Sequence, residues 1–262
     1  MKIIFNLYIY TMSLNFENNG VPIALIKKGK KTTGILYVDD KKSSHTHFNH
    51  IKLKPDETFE PIPDPKKERS ILYITAQSGA GKSYFVAEWV KRYQKIFPEN
   101  NVYLLSSLTE DPTIDKIKNL MRIKLDEFVE DKWCIDDVKD ACLILDDTDC
   151  ITDKTQKKAI DQLLSSVLQT GRHTNTTCLF TSHLATAGKD TKLILNECQS
   201  VTVFPSTMGN RQMKYLLEGY FGLDNKEIKK IKKLEGRWVQ ICKTYPKCIL
   251  SEKEAFLPSL MD

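Results

Sequence analysis

The sequence predicts an α/β fold, a mostly parallel sheet sandwiched by helices, preceded by a small β-rich piece. From Ser70 onward, apolar strand-like runs alternate with amphipathic helical stretches, the rhythm of repeated β–α units. Runs such as 71–75 and 141–145 are almost continuously apolar, as strands covered on both faces are. Before Ser70 the texture differs: "VPIALI" and "GILYV", joined by "KKGKKTT", read as a hairpin.

In chain order, residues 1–19 form an N-terminal extension. Its start, "MKIIFNLYIYTM", lacks a small-residue cleavage site, so no signal peptide is expected. The simplest reading is an upstream in-frame start, with Met12 as the true first residue. Residues 20–67 make the small β-rich piece. After the hairpin, "HFNHIKL" reads as a further strand, and "PDETFEPIPDPKKERS" carries too much proline for regular structure. A domain boundary is expected there, in front of a main domain over 68–262.

In that domain 71–75 is a buried strand. Residues 82–97 follow as a helix, with Phe85, Val86, Trp89, Val90 and Tyr93 at helical spacing and Pro98 as the stop. Further strands are expected at 102–105, 123–125, 141–145, 178–181 and 201–204. Residues 154–170 place Ile160, Leu163, Leu164, Val167 and Leu168 on one helical face. The tail reads as helices over 208–219 and 224–234, then a strand–turn–strand in "GRWVQICKTYPKCIL".

The chain has 262 residues, 41% of them hydrophobic and 28% charged, a globular composition with room for one good core plus an appendage. A formal net charge of +5 permits a polyanionic partner without requiring one. The seven cysteines form no C-x-x-C pair, and several sit in apolar runs, which points to a reducing compartment. No apolar run approaches the ~20 residues of a membrane helix.

The chemistry is concentrated after the first buried strand. "AQSGAGKS" places Ala76, Gln77, Ser78, Gly79, Ala80, Gly81, Lys82 and Ser83 at the spacing of a phosphate-binding loop, with Tyr84 continuing into the helix. Gly79 and Gly81 let backbone N–H groups turn inward as a nest for phosphate oxygens. Lys82 reaches the β- and γ-phosphates, Ser83 offers a hydroxyl to Mg²⁺, and the helix directs its positive end at the anion. Where glycine is usual the loop begins with Ala76, which suffices if the backbone there keeps a negative φ. A second element, "ACLILDDTD", ends a strand in Asp146, the metal-shell candidate. Asp147 follows as the candidate base that orients the attacking water, with Asp149 in reserve.

Residues 168–184, "LQTGRHTNTTCLFTSHL", narrow the reading. A helix ends in Gly171, Arg172 and His173, a polar stretch includes Asn175, and a strand runs to Ser182 and His183. Over about residues 70–205, these three elements in this order resemble the DNA-packaging ATPases of poxviruses and other large DNA viruses. Those proteins belong to the FtsK–HerA group of ring-forming motors. The resemblance implies a RecA/FtsK-like P-loop NTPase fold, ATP and Mg²⁺ as cofactors, and an Mg-dependent ATPase that translocates double-stranded DNA into a capsid. It also implies a homo-oligomeric ring, capsid or membrane proteins as docking partners, and a place in the host cytoplasm (viral factory) or the virion. Arg172 would touch nucleotide, its own or a neighbouring subunit's, as an arginine finger. His183 stands where the family usually has glutamine, and Asp147 where many relatives have glutamate. Histidine can still donate to a phosphate oxygen, with added sensitivity to pH. The β-rich front piece has no counterpart in the poxvirus proteins.

Two other readings stay open. A P-loop kinase usually carries an arginine-rich lid late in the chain, but after Phe204 only Arg211 and Arg237 occur. A nucleotide-regulated scaffold with little turnover is kept alive by aspartate at the base position. His45, His47 and His50 read as a solvated run rather than a metal site. The lysines of 27–31 and 229–233 read as solvated basic turns or helix faces that could also meet DNA phosphates.

Overall fold

The computed structural model describes residues 12–39, 48–67 and 69–258. Expectations for 1–11, and for His45 and His47, lie outside the described residues. Strands β1 (Ser13–Asn15), β2 (Val21–Lys28) and β3 (Lys31–Asp39) come first, followed by β4 (His50–Lys52) and β5 (Glu57–Pro61). The β2–β3 hairpin turns through Gly29 at φ +57°, a conformation that suits glycine in a two-residue turn. Antiparallel pairing gives a four-stranded sheet in the order β1-β3-β2-β5.

β5 corrects the expectation that 55–70 is irregular. Its side chains alternate, with Phe59 buried at 1% exposure, and its proline stands at the last position of a strand on the sheet edge, where a missing N–H costs nothing. β1 likewise starts this piece before residue 20.

Next come β6 (Ile71–Thr75), α1 (Lys82–Ile96), β7 (Asn101–Ser106), β8 (Leu120–Arg122) and α2 (Leu125–Glu130). β9 (Ala141–Asp146), α3 (Lys154–Thr170), β10 (Thr177–Ser182), α4 (Lys189–Glu197) and β11 (Ser200–Val203) continue the alternation. The chain then forms α5 (Asn210–Phe221), α6 (Asn225–Ile231), β12 (Val239–Cys242), β13 (Cys248–Ser251) and β14 (Glu254–Phe256). The strand expected at 123–125 is displaced. β8 ends at Arg122, extended Lys124 leads into α2, and Asp126 and Glu127 occupy the first turn of that helix, where negative charge is favourable.

The main sheet has ten strands in the order β4-β14-β13-β12-β11-β6-β10-β9-β7-β8. The six from β11 to β8 are parallel, and β12, β13, β14 and β4 extend the sheet antiparallel. Helices α3, α4, α5 and α6 cover one face through Leu163, Ile194, Leu217 and Ile231. The other face packs on α1 through Val86, Trp89, Val90 and Tyr93, in one core with Leu14, Ala24, Leu36 and Phe59 of the front piece.

The boundary expected near residue 67 is therefore not a break in packing. β4 belongs to the main sheet, the Phe59 N–H donates to Glu252 O at 2.8 Å, and Glu60 pairs with Arg92 of α1. A piece too small to bury its own core has become a cover for the α1 face.

Candidate nucleotide site

Parallel strands deliver their C-terminal ends to one edge of the sheet, and the predicted loop sits there. Ala76 is buried at the end of β6, and its N–H donates to Ser182 O at 3.2 Å. Positive φ occurs at Gly79 (74°) and Gly81 (111°) but not at Ala76. A methyl group at residue 76 thus meets no conformational objection, whereas L side chains at 79 and 81 would be strained. Gln77, Ser78 and Gly79 are exposed. Gly81 opens α1 with no side-chain cap and no acidic residue in the first turn. The positive helix end is unneutralised and fit for an anion.

Lys82 is buried and folded back on three groups. Its Nζ donates to Ala76 O at 3.2 Å and to His183 Nδ1 at 3.1 Å, and lies 3.5 Å from Asp147 Oδ1. His183 Nε2 in turn stands 2.9 Å from Asp147 Oδ2. An ammonium only donates, so Nδ1 must accept, and the imidazole proton sits on Nε2, where it donates to Asp147. The three side chains form a closed ring with one positive and one negative charge.

The backbone of Asp147 is left-handed, φ 48° and ψ 33°. Aspartate visits that region more readily than most residues. Its N–H donates to Thr181 Oγ1 at 2.9 Å. β10 lies between β6 and β9 and so carries His183 to a place between loop and acid. Tyr73 Oη donates to Leu184 O at 2.6 Å, and the Leu184 N–H donates to Ser182 Oγ at 3.1 Å, which pins the chain on either side of His183.

Asp146 is 2% exposed. Its Oδ1 accepts from Thr181 Oγ1 at 2.9 Å and its Oδ2 from Ser106 Oγ at 3.1 Å. Burial, with the negative Asp147 adding to it, raises its carboxyl above the ordinary range, against the two hydroxyl bonds. Asp149 is engaged elsewhere, accepting from Ser182 Oγ at 2.7 Å.

Sequence reasoning missed Asp111, in the loop after β7, which accepts from Ser83 Oγ at 2.9 Å. It missed Ser106 and Thr181 as well. Thr181 could have been found as a polar residue at a buried strand tip facing the Asp-Asp pair. Asp111 had no signal, because its loop is read only once β7 is placed beside β9.

Ser83 and Asp146 offer hard oxygen donors, the kind Mg²⁺ takes. Among the described residues no three His, Cys, Asp or Glu side chains converge into a cage.

The Gly-Arg-His segment lies at the other end of the sheet. Gly171 closes α3, and Arg69 caps that helix with bonds to Val167 O at 2.7 Å and Leu168 O at 3.2 Å. A Cβ on Gly171 would fall 2.3 Å from the backbone Val167 O and 2.7 Å from Arg69 Nη1, and the backbone oxygen cannot give way as the guanidinium could. Burial, then the nearby Arg172 charge, lowers the Arg69 pKa. Arg172 and His173 are exposed, and Asn175 donates to Asp140 at 2.9 Å. Six-residue β10 puts about 16 Å between this turn and His183. Arg172 cannot touch phosphates held by its own loop.

The architecture is the α/β fold, with a large mostly parallel sheet between helices, seen in FtsK-like ATPases of known structure. It is the fold of the cytoplasmic domain of the type VII secretion ATPase EccC from Thermomonospora curvata. That domain matches with a TM-score of 0.51 at 13% identity, over 82% of this chain and 29% of that one. The DNA-packaging ATPase B204 of Sulfolobus turreted icosahedral virus superposes with a TM-score of 0.49 at 14% identity, over 74% of this chain and 99% of that one. No family model matches the sequence. The uncharacterized protein V3 of Sputnik virophage is 34% identical over 244 residues, 92% of this chain and 97% of that protein. The chain belongs to the family of that virophage protein.

Proposed function

We propose that the protein is an Mg-dependent ATPase that translocates double-stranded DNA, packaging a viral genome from within the host cytoplasm or at the assembling virion. The observation that carries the ATPase reading is the Lys82–His183–Asp147 ring at the mouth of an uncapped helix N-terminus. A triphosphate would draw Lys82 out of that ring by offering more negative charge than Asp147 does. Asp147, freed of Lys82, would then orient water and accept its proton. The water oxygen forms the new bond to the γ-phosphorus, and the bond to the bridging oxygen of ADP breaks. His183, with its proton on Nε2, would donate toward the transferring group. Bound Mg²⁺, held by Ser83 and Asp146, would neutralise charge on the β- and γ-oxygens.

The DNA role rests on the order of loop, Asp-Asp strand and Gly-Arg-His segment, with a virophage relative as its viral context. Arg172 would act on the nucleotide of a neighbouring copy in a ring, which would dock on capsid or membrane proteins. Among the described residues no helix is long and apolar enough to cross a membrane. The test is ATP turnover with and without double-stranded DNA, together with native mass. Stimulation by DNA and a ring-sized mass are expected. Phosphate transfer to an added acceptor, or nucleotide binding without turnover in every condition, would contradict the reading.

A further inference from the structure

We infer that Asp111 is a positioning residue for the cation at Ser83, an inference that rests on the nucleotide-site reading above. A serine hydroxyl that ligates a cation does so through an oxygen lone pair, and its proton must point away toward an acceptor. Here the proton goes to Asp111 Oδ2, 2.9 Å from Ser83 Oγ. The strand-tip acid Asp146 has both oxygens occupied by the hydroxyls of Thr181 and Ser106.

The Asp111 carboxylate is clamped for this task. Its Oδ1 accepts from the N–H groups of Thr113 at 2.7 Å and Ile114 at 2.8 Å. Its own N–H donates to Asp115 Oδ2 at 2.7 Å, and Arg122 holds Asp115 Oδ1 from Nε at 3.0 Å and Nη2 at 2.7 Å. A turn cap needs only Oδ1. The second oxygen reaches a residue 28 positions earlier in the chain, on a different β–α unit, and is left over from any capping role.

This geometry makes asparagine a sharp probe. In Asp111→Asn the amide oxygen must stay on the two backbone N–H groups, which forces the NH₂ toward Ser83. There it donates to Oγ and occupies the lone pair a cation needs. Asp111→Ser is the companion variant, because its short hydroxyl can still cap the turn but cannot reach Ser83.

The experiment titrates MgCl₂ into the full chain with a fluorescent ATP analogue and reads nucleotide affinity. With EDTA, both variants should bind the analogue as the unaltered protein does. The Mg²⁺ concentration that half-tightens binding should rise about 10- to 100-fold, the usual cost of losing an outer partner of a metal ligand. Equal Mg²⁺ midpoints in the unaltered protein and either folded variant would overturn the role of Asp111. Failure of the unaltered protein to bind the analogue would overturn the nucleotide-site reading itself, and this inference with it.

Discussion

The two ends of the parallel sheet are built in opposite ways. At the C-terminal ends of the strands, Lys82, His183 and Asp147 are locked to one another, and Asp146 is buried among hydroxyls. At the N-terminal ends, Arg69 holds the last turn of α3 and the Asp140 N–H holds Thr174 O at 2.8 Å, yet Arg172 and His173 are exposed. One end is a site closed on itself. The other holds an arginine exposed to solvent, far from the loop of its own chain. On the function proposed above, the two ends would meet between copies, each lending its lower end to a neighbour's upper end.

Several changes break or sharpen this contrast. Lys82→Ala removes the only ammonium of the ring and should cut ATP turnover by at least ~10²-fold, with nucleotide affinity falling in a filter-binding assay. Arg172→Ala should reduce turnover by roughly 10³-fold while affinity for nucleotide stays as it was, since the side chain is remote from its own loop. Gly171→Ala acts on the end of α3. The collision with the backbone Val167 O should destabilise the fold by about 1–3 kcal/mol, read as a lower denaturant midpoint.

Asp146→Asn should move stability the other way. A carboxyl whose pKa is raised by folding binds its proton more tightly in the folded chain. Stability is therefore lost as pH rises from the unfolded towards the raised folded pKa, and regained on acidification. Asparagine removes that penalty, so the melting temperature at neutral pH should rise by a few degrees and lose its acid-side increase, while Mg²⁺ ceases to tighten nucleotide binding. Ala76→Gly should be the mildest change, under ~1 kcal/mol with nucleotide binding kept, because residue 76 needs no positive φ.

Much of this is legible in the sequence, for reasons visible in particular residues. The continuous apolar runs of β6, β9 and β10 mark strands buried on both faces, and the loop spacing fixes Gly79, Gly81, Lys82 and Ser83 by local geometry alone. The helix over 154–170 agrees at both ends, because five apolar residues at helical spacing leave little freedom. What was not legible depends on contacts far apart in sequence. β5 is a strand only because β2 pairs with it. The front piece has no separate core because α1 offers it an apolar face. Asp111 meets Ser83 only after the sheet has ordered β7 beside β9. The left-handed backbone of Asp147 likewise shows only in the fold.

The most direct test of a site completed between copies is subunit mixing. Lys82→Ala and Arg172→Ala chains, each inactive alone, are combined at equal amounts and assayed for ATP turnover with double-stranded DNA present. The account predicts that activity returns, because an Arg172→Ala chain with an intact loop can sit against a Lys82→Ala chain with an intact arginine. A mixture that forms joint oligomers and stays as inactive as its parts would contradict it.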